Sequence, residues 1–393
     1  MNIAEKYTYP SPESVITFLK KNNITVKNIG ETREGIPIES FSIGDGVPLV
    51  LVAYCHADEP VGGAVIMRIA EHYIKHGTLW KTPVNITFIP CFDPYGASRN
   101  KYWYDVPLTI NRNIRYRYRQ ERANQAEWGH LSKGDSAMAA IVSELNKNQP
   151  KLLCHLHNTR FANSAIYLSG TKIRPDFADS LSSVLTSYFT YICKIPEKPY
   201  QNKISEGVFS FGDKTSRYAY EKNLSDKRQT EITSAGNHVF DHLELAGYPL
   251  SIIPDIPIFY WNCMAYVKEE DYLIVRELLL ESYSLIEDII ENQKYDILVT
   301  DFVRKETNQI INKQNSFSPL DLLRMLTALG AIWHTSLYCN IIELNVLKIE
   351  SNLEMSCDIV SNLLNIKTYE VDYICNIYLD IIKTAISEVV LKR

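Results

Sequence analysis

The feature that most limits what this chain can fold into is a repeated alternation. A short aliphatic, β-branched run is followed by a helical pattern, then by another such run. "VPLVLVAYC" (47–55), "VNITFIPCF" (84–92) and "KLLCHLH" (151–157) are short and nearly uniformly apolar, so they read as strands buried on both faces. Between and after them lie "PVGGAVIMRIAEHYIKHG" (60–77), "SAMAAIVSELNKN" (136–148) and "RPDFADSLSSVLTSYF" (174–189). Pro60 suits a first helical position and Gly77 a C-terminal cap. Strands alternating with helices predict an α/β domain with a mixed, mostly parallel central sheet and helices on both faces. In such sheets ligands bind beyond the strand ends. After residue 293 the alternation stops, and "SPLDLLRMLTALGAIW" and "VDYICNIYLDIIKTAISEVV" read as helices. The expected division is therefore a domain over 1–293 and an all-helical C-terminal domain over 294–393. The apolar stripes of that second part need a surface to pack on. The first domain, or a second copy in a homodimer, would supply it.

The apolar and charged fractions, 46% and 22%, are those of an ordinary globular protein. A net charge of −5 gives no global field toward nucleic acid or an anionic membrane. The run "NRNIRYRYRQER" (111–122) is basic, but reads better as an ion-paired loop or the rim of an acidic-substrate site than as a nucleic-acid face. No apolar run reaches the roughly 18 residues that a membrane span needs, and "MNIAEKYTYPSPESV" has no signal-peptide core. A cytoplasmic location is the expectation. The eight cysteines form no C-x-x-C pair and several sit inside apolar runs, so buried free thiols are expected.

"CHADEP" (55–60) closes one strand run and opens a helix, with His56 and Glu59 three residues apart. Zinc in hydrolases is held by three protein ligands with a fourth position open. The second strand run offers the third ligand in "HLHN", where His155 and His157 point to the same face because strand side chains alternate. His157 is nearer the strand end. Taken alone, Glu59 before Pro60 would equally serve a helix N-terminus.

Several stretches in order carry more weight than this one fragment. "IGETREGIPIESFSIGDG" (29–46), "LVAYCHADEPVGG" (51–63), "FIPCFDPYGASRN" (88–100), "INRN" (110–113), "PKLLCHLHN" (150–158) and "TEIT" (230–233) together resemble the zinc carboxypeptidase family. The resemblance implies one Zn²⁺ per chain, bound by His56, Glu59 and His157, with His155 as a neighbour. It implies Glu231 as the carboxylate that moves the proton and Arg99 as the charge beside the developing oxyanion. Asn111 and Arg112 would clamp the free carboxylate of a peptide substrate. In "DKTSRYAY", Lys214 and Arg217 occupy the stretch that lines the family's specificity pocket, and their charge favours an acidic terminal residue. The sequence also departs from the family. Asp93 stands where asparagine is usual, and Phe209 and Phe211 occupy the stretch where a substrate-capping tyrosine is expected.

The resemblance thus predicts a zinc metallocarboxypeptidase acting on a peptide or peptide-like substrate. Two alternatives share the metal site. One is an N-acyl amino acid deacylase of the aspartoacylase and succinylglutamate desuccinylase type, to which "LHNT" (156–159) is similar. The other is a non-catalytic zinc-bearing binding module.

Overall fold

The structure, a computed structural model, describes residues 3–32, 34–78, 80–118, 136–170, 173–189, 192–196, 198–212, 250–262, 264–287, 307, 318–338 and 343–390. In chain order the elements are α1 (Pro12–Lys21), β1 (Lys27–Glu31), β2 (Pro37–Ile43), β3 (Val47–Val52), α2 (Val61–His76), β4 (Val84–Ile89), α3 (Pro94–Ser98), α4 (Ile110–Tyr116), α5 (Ser136–Asn148), β5 (Leu152–His155), β6 (His157–Thr159), β7 (Ala165–Ser169) and α6 (Pro175–Tyr188). They continue with β8 (Lys203–Ser205), β9 (Val208–Ser210), β10 (Ser251–Pro257), β11 (Phe259–Tyr260), α7 (Glu269–Ser284), α8 (Pro319–Tyr338), α9 (Glu343–Leu364), β12 (Lys367–Thr368) and α10 (Val371–Val390).

The chain forms two compact units. The first holds Met1–Pro107, Tyr118–Ile258 and Glu370–Arg393. Its sheet runs β1-β2-β4-β3-β5-β10-β7-β9-β8, with β6 also paired to β10. The central β4-β3-β5-β10 group is parallel, and antiparallel pairs flank it, β1-β2-β4 on one side and β10-β7 on the other. This is the mixed α/β sheet that the alternation predicts. The three apolar strand runs become β3, β4 and the β5–β6 pair. The last is broken at Leu156, whose amide bonds back to Val52 instead.

Alternation along the strands divides the core. Val50, Val52, Leu153, Ile253, Tyr167 and Phe209 face one way and meet Ile141 and Leu145 of α5. The opposite face is covered by α2, α6 and α10. Phe209 is therefore a core residue, which accounts for an apolar side chain there.

α2 begins at Val61, one residue later than the sequence suggests. Pro60 is its N-cap and has no side-chain cap bond. Gly77, at φ +68°, terminates the helix in the left-handed region, and its amide bonds Tyr73 O at 2.7 Å.

The second unit holds Leu108–Arg117 and Phe259–Tyr369. Here α4, α7, α8 and α9 pack together and β11 pairs with β12. Arg115 of α4 bonds Glu350 and Glu354 of α9, both at 2.7 Å.

This division differs from the boundary expected at 293/294. α7 goes with the helical unit, while α10 returns to the sheet. Ile374, Ile377, Tyr378, Ile381, Ile382 and Ala385 are buried along α10, an apolar stripe at helical spacing. Such a stripe reveals a need for burial but not the partner that provides it. Among the described residues, no helix is long and apolar enough to cross a membrane.

The start of α2 lies tightly against the sheet. A Cβ placed on Gly62 would come within 2.7 Å of Ala53 Cβ and 2.9 Å of Leu156 Cβ. Gly62→Ala should therefore lower stability by about 1–3 kcal/mol through overpacking, although alanine is the better helix former by about 1 kcal/mol. Denaturant unfolding checks this. A variant at least as stable as wild type would show that the contact relaxes without cost.

Candidate metal centre

The centre forms where β3 ends. Past Val52 the chain turns sharply. Tyr54 sits at φ +48°, in the left-handed region that a non-glycine residue seldom adopts. Two backbone bonds hold this turn, Phe92 N to Ala53 O at 2.9 Å and Asp93 N to Tyr54 O at 3.2 Å. Two buried phenols brace it, Tyr54 donating to Pro10 O and Tyr104 to Ala57 O. A tight turn follows, with Glu59 N bonded to His56 O at 3.0 Å. It brings the His56 and Glu59 side chains together just ahead of α2.

The Glu59 carboxylate is the hub. One oxygen lies 2.7 Å from His56 Nδ1 and the other 2.8 Å from His157 Nδ1. The second oxygen also accepts the Asn158 amide at 3.2 Å. Glu59 is 4% exposed and His157 6%, while the His56 side chain keeps 17%. The three donor atoms lie within 4.8 Å of one another. Bonds of about 2.0–2.2 Å place tetrahedral donors roughly 3.3 Å apart. A separation of 2.7–2.8 Å is close enough that a small outward movement would admit an ion. Two imidazoles and a carboxylate form the His₂Glu donor set of known zinc peptidases. The partial exposure of His56 leaves one side of the group open.

A second group, Cys55, His155 and His157, also falls within 4.8 Å. Cys55 Sγ lies 3.6 Å from His155 Nδ1. All three residues are buried, and Cys55 belongs to the apolar core. This group has no open side for a substrate. The two candidates for the third ligand thus occupy different settings: His157 adjoins Glu59, and His155 adjoins the thiol.

Asp93, the departure from the resembled family, caps α3 and accepts the Gly96 amide at 2.9 Å. Burial pushes its carboxyl up to about 7, partly offset by that bond and by nearby His56. A Cβ on Gly96 would meet Asp93 Oδ2 at 2.4 Å and Ala57 Cβ at 2.6 Å, so α3 lies directly on the turn between His56 and Glu59. At the end of α3, Arg99 is half-buried. Its Nη1 donates to Tyr95 OH at 3.3 Å, and its guanidinium carbon lies 4.9 Å from the Tyr118 ring centroid. Asn111 and Arg112 are half-buried on α4, in the second unit. Glu231, Lys214 and Arg217 lie outside the described residues.

Two residues that the sequence reading passed over prove to belong here. Asp255 on β10 is the register partner of His157 on β6 in a parallel pair. Partners in a parallel pair project to the same face, on strands about 4.8 Å apart. A half-buried carboxylate therefore stands beside the candidate ligand. Its only mark in the sequence is an acidic residue interrupting the apolar "SIIPDIPIF". The other is Asn158, whose Oδ1 accepts the Val61 amide at 3.2 Å and so supplies the cap that Pro60 cannot.

No family model and no curated sequence matches the chain. Solved structures to which it is similar include a candidate metallopeptidase from Shewanella denitrificans OS217, at 14% identity and a TM-score of 0.42, covering 62% of this chain and 81% of that one. A metallo-carboxypeptidase from Burkholderia cenocepacia matches at 10% identity and a TM-score of 0.38, over 62% of this chain and 59% of its own. Carboxypeptidase A from Helicoverpa armigera matches at 14% identity and a TM-score of 0.38, over 66% and 67%.

Asn158→Ala should cost about 1 kcal/mol, the usual value of a lost N-terminal cap. Urea unfolding of the metal-free protein reads it. An unchanged midpoint would mean that water replaces the amide oxygen without loss.

Proposed function

We propose that the protein is a zinc-dependent hydrolase that removes the terminal residue of a peptide or peptide-like substrate at a free carboxylate, as a metallocarboxypeptidase does. The observation that carries this reading is the Glu59 carboxylate set between two imidazoles from separate strand ends, beside the partly exposed His56. A bound zinc ion would supply Lewis acidity toward the substrate carbonyl and the attacking water.

The chain's own groups do the rest. A carboxylate accepts a proton from the attacking water as the carbon–oxygen bond forms. It then delivers that proton to the amine nitrogen as the carbon–nitrogen bond breaks. Asp255 is supported for this role by its register beside His157; Glu231 is the acceptor that the sequence resemblance suggests. Arg99 would offset charge on the developing oxyanion. Asn111 and Arg112 would hold the terminal carboxylate, for which a guanidinium fork is suited. Lys214 and Arg217 would bias the site toward a terminal glutamate or aspartate.

The direct test is mass spectrometry of a peptide library, varied at its last residue, after incubation with the zinc-loaded protein. Release of single C-terminal residues, acidic ones first, supports the proposal. Cleavage of N-acyl amino acids alone would favour the deacylase, and zinc binding with no turnover of either would favour a binding module. Preferred release of leucine or lysine would remove the acidic-pocket assignment and leave the carboxypeptidase.

The ligand set makes a separate prediction. His157→Ala should lose most bound zinc and His155→Ala should keep it, as metal analysis after dialysis would show. Loss of zinc in both variants would move the centre to the Cys55 side, whose donor group also contains His157.

For the proton acceptor, Asp255→Asn should retain zinc and lower kcat by about 10²–10⁴-fold, while Glu231→Gln stays within tenfold of wild type. Single-turnover kinetics of the two variants checks this. The opposite pattern would return the role to Glu231.

A further inference from the structure

The helix α10 touches the candidate metal centre. Tyr378, fully buried on this helix, donates its hydroxyl to the backbone oxygen of His157. The backbone of Ile256, the residue after Asp255, lies near the phenol, and Glu59 and Asp255 are close enough to act on it electrostatically. One side chain from the last twenty or so residues thus meets both strands, β6 and β10, where they carry His157 and Asp255.

β6 is only three residues long, and the break at Leu156 separates it from β5. A strand this short is weakly fixed by its own ladder. The His157 carbonyl also takes part in the β6–β10 ladder, so the hydroxyl is an added donor that helps to fix the local peptide plane. The direction of the His157 ring follows from that plane.

The helix is itself anchored to α2 and α6. Arg68 of α2, the helix that opens just after Glu59, bonds Asp372. Tyr188 of α6 donates to Asp380 at 2.7 Å, and Tyr373 donates to Tyr188 O at 2.6 Å. Arg174 and Glu388 lie 3.6 Å apart. The ion pairs among these are partly exposed and contribute little individually. The apolar stripe of α10 provides the main docking force.

We infer that Tyr378 is a positioning residue of the metal centre: through the His157 carbonyl it fixes the third ligand, and so couples docking of the C-terminal helix to metal affinity. This rests on the zinc reading of His56, Glu59 and His157 given above. Groups next to metal ligands that orient them are typically worth 10- to 100-fold in affinity.

The test is zinc affinity of the full-length protein, measured by competition with a chromophoric chelator, for wild type, Tyr378→Phe and Tyr373→Phe. Tyr373 supplies a control, because its hydroxyl bonds the same helix to α6 and touches no ligand. Tyr378→Phe should weaken zinc by about 10- to 100-fold, with the metal-free melting midpoint shifted no more than in Tyr373→Phe, whose affinity should match wild type. Equal affinity for all three proteins would overturn the inference, and so would equal weakening in both variants, which would mark a general effect of loosening the helix. A wild type that binds no zinc would instead overturn the metal reading, and this inference with it. Should Tyr378→Phe fail to fold, hydrogen exchange of the wild type decides. Zinc should slow amide exchange across 374–382 if the helix and centre are coupled, and unchanged exchange there would count against the coupling.

Discussion

A carboxylate as buried as that of Glu59 must be balanced by positive charge or strong donors, and the arrangement around it follows from that need. Two imidazole nitrogens and one amide converge on its two oxygens. A cation would meet the same need by inserting between the donors. The three partners come from the turn after β3 and from the start of β6, brought side by side by the parallel packing of β3, β5 and β10. The close approach of α2 at Gly62 belongs to the same solution, since α2 must begin within reach of Asn158 for the turn carrying Glu59 to close.

Much of this was legible in the sequence because it depends on local pattern. Runs of β-branched residues identified β3, β4 and β5, and the strand-end positions of His56, Glu59 and His157 follow from where those runs stop. What was not legible depends on pairing across the sheet. Asp255 lies in "IIPDIP", where flanking prolines suggest a turn, and only its register with His157 gives it significance. Asn158 caps a helix that starts 97 residues earlier, a relation no local window contains. The helical texture of 294–393 was readable, but not that α10 leaves its helical neighbours for the sheet. An amphipathic stripe looks the same whichever surface it covers.

The division into units separates the proposed roles. His56, Glu59, His157, Arg99 and Asp255 all belong to the sheet-bearing unit, whereas Asn111 and Arg112 are on α4, which packs with α8 and α9. α4 is fixed within its unit by the Arg115 pairs to Glu350 and Glu354, so its two candidate substrate ligands are held by the helical unit and not by the sheet.

His157 also belongs to two donor groups, and what chooses between them is geometric. Its Nδ1 faces Glu59 at 2.8 Å, and that atom can bind one centre only. The Asn158 amide holds the carboxylate in place on that side, and the Tyr378 hydroxyl holds the peptide that carries the ring. On the other side, Cys55 and His155 offer a softer donor set with every member buried. Softness alone would draw zinc toward the thiol. Orientation of the shared imidazole and access from solvent both favour the Glu59 side, and a hydrolytic centre needs the accessible one, because a closed set of ligands leaves no position where substrate and water can meet.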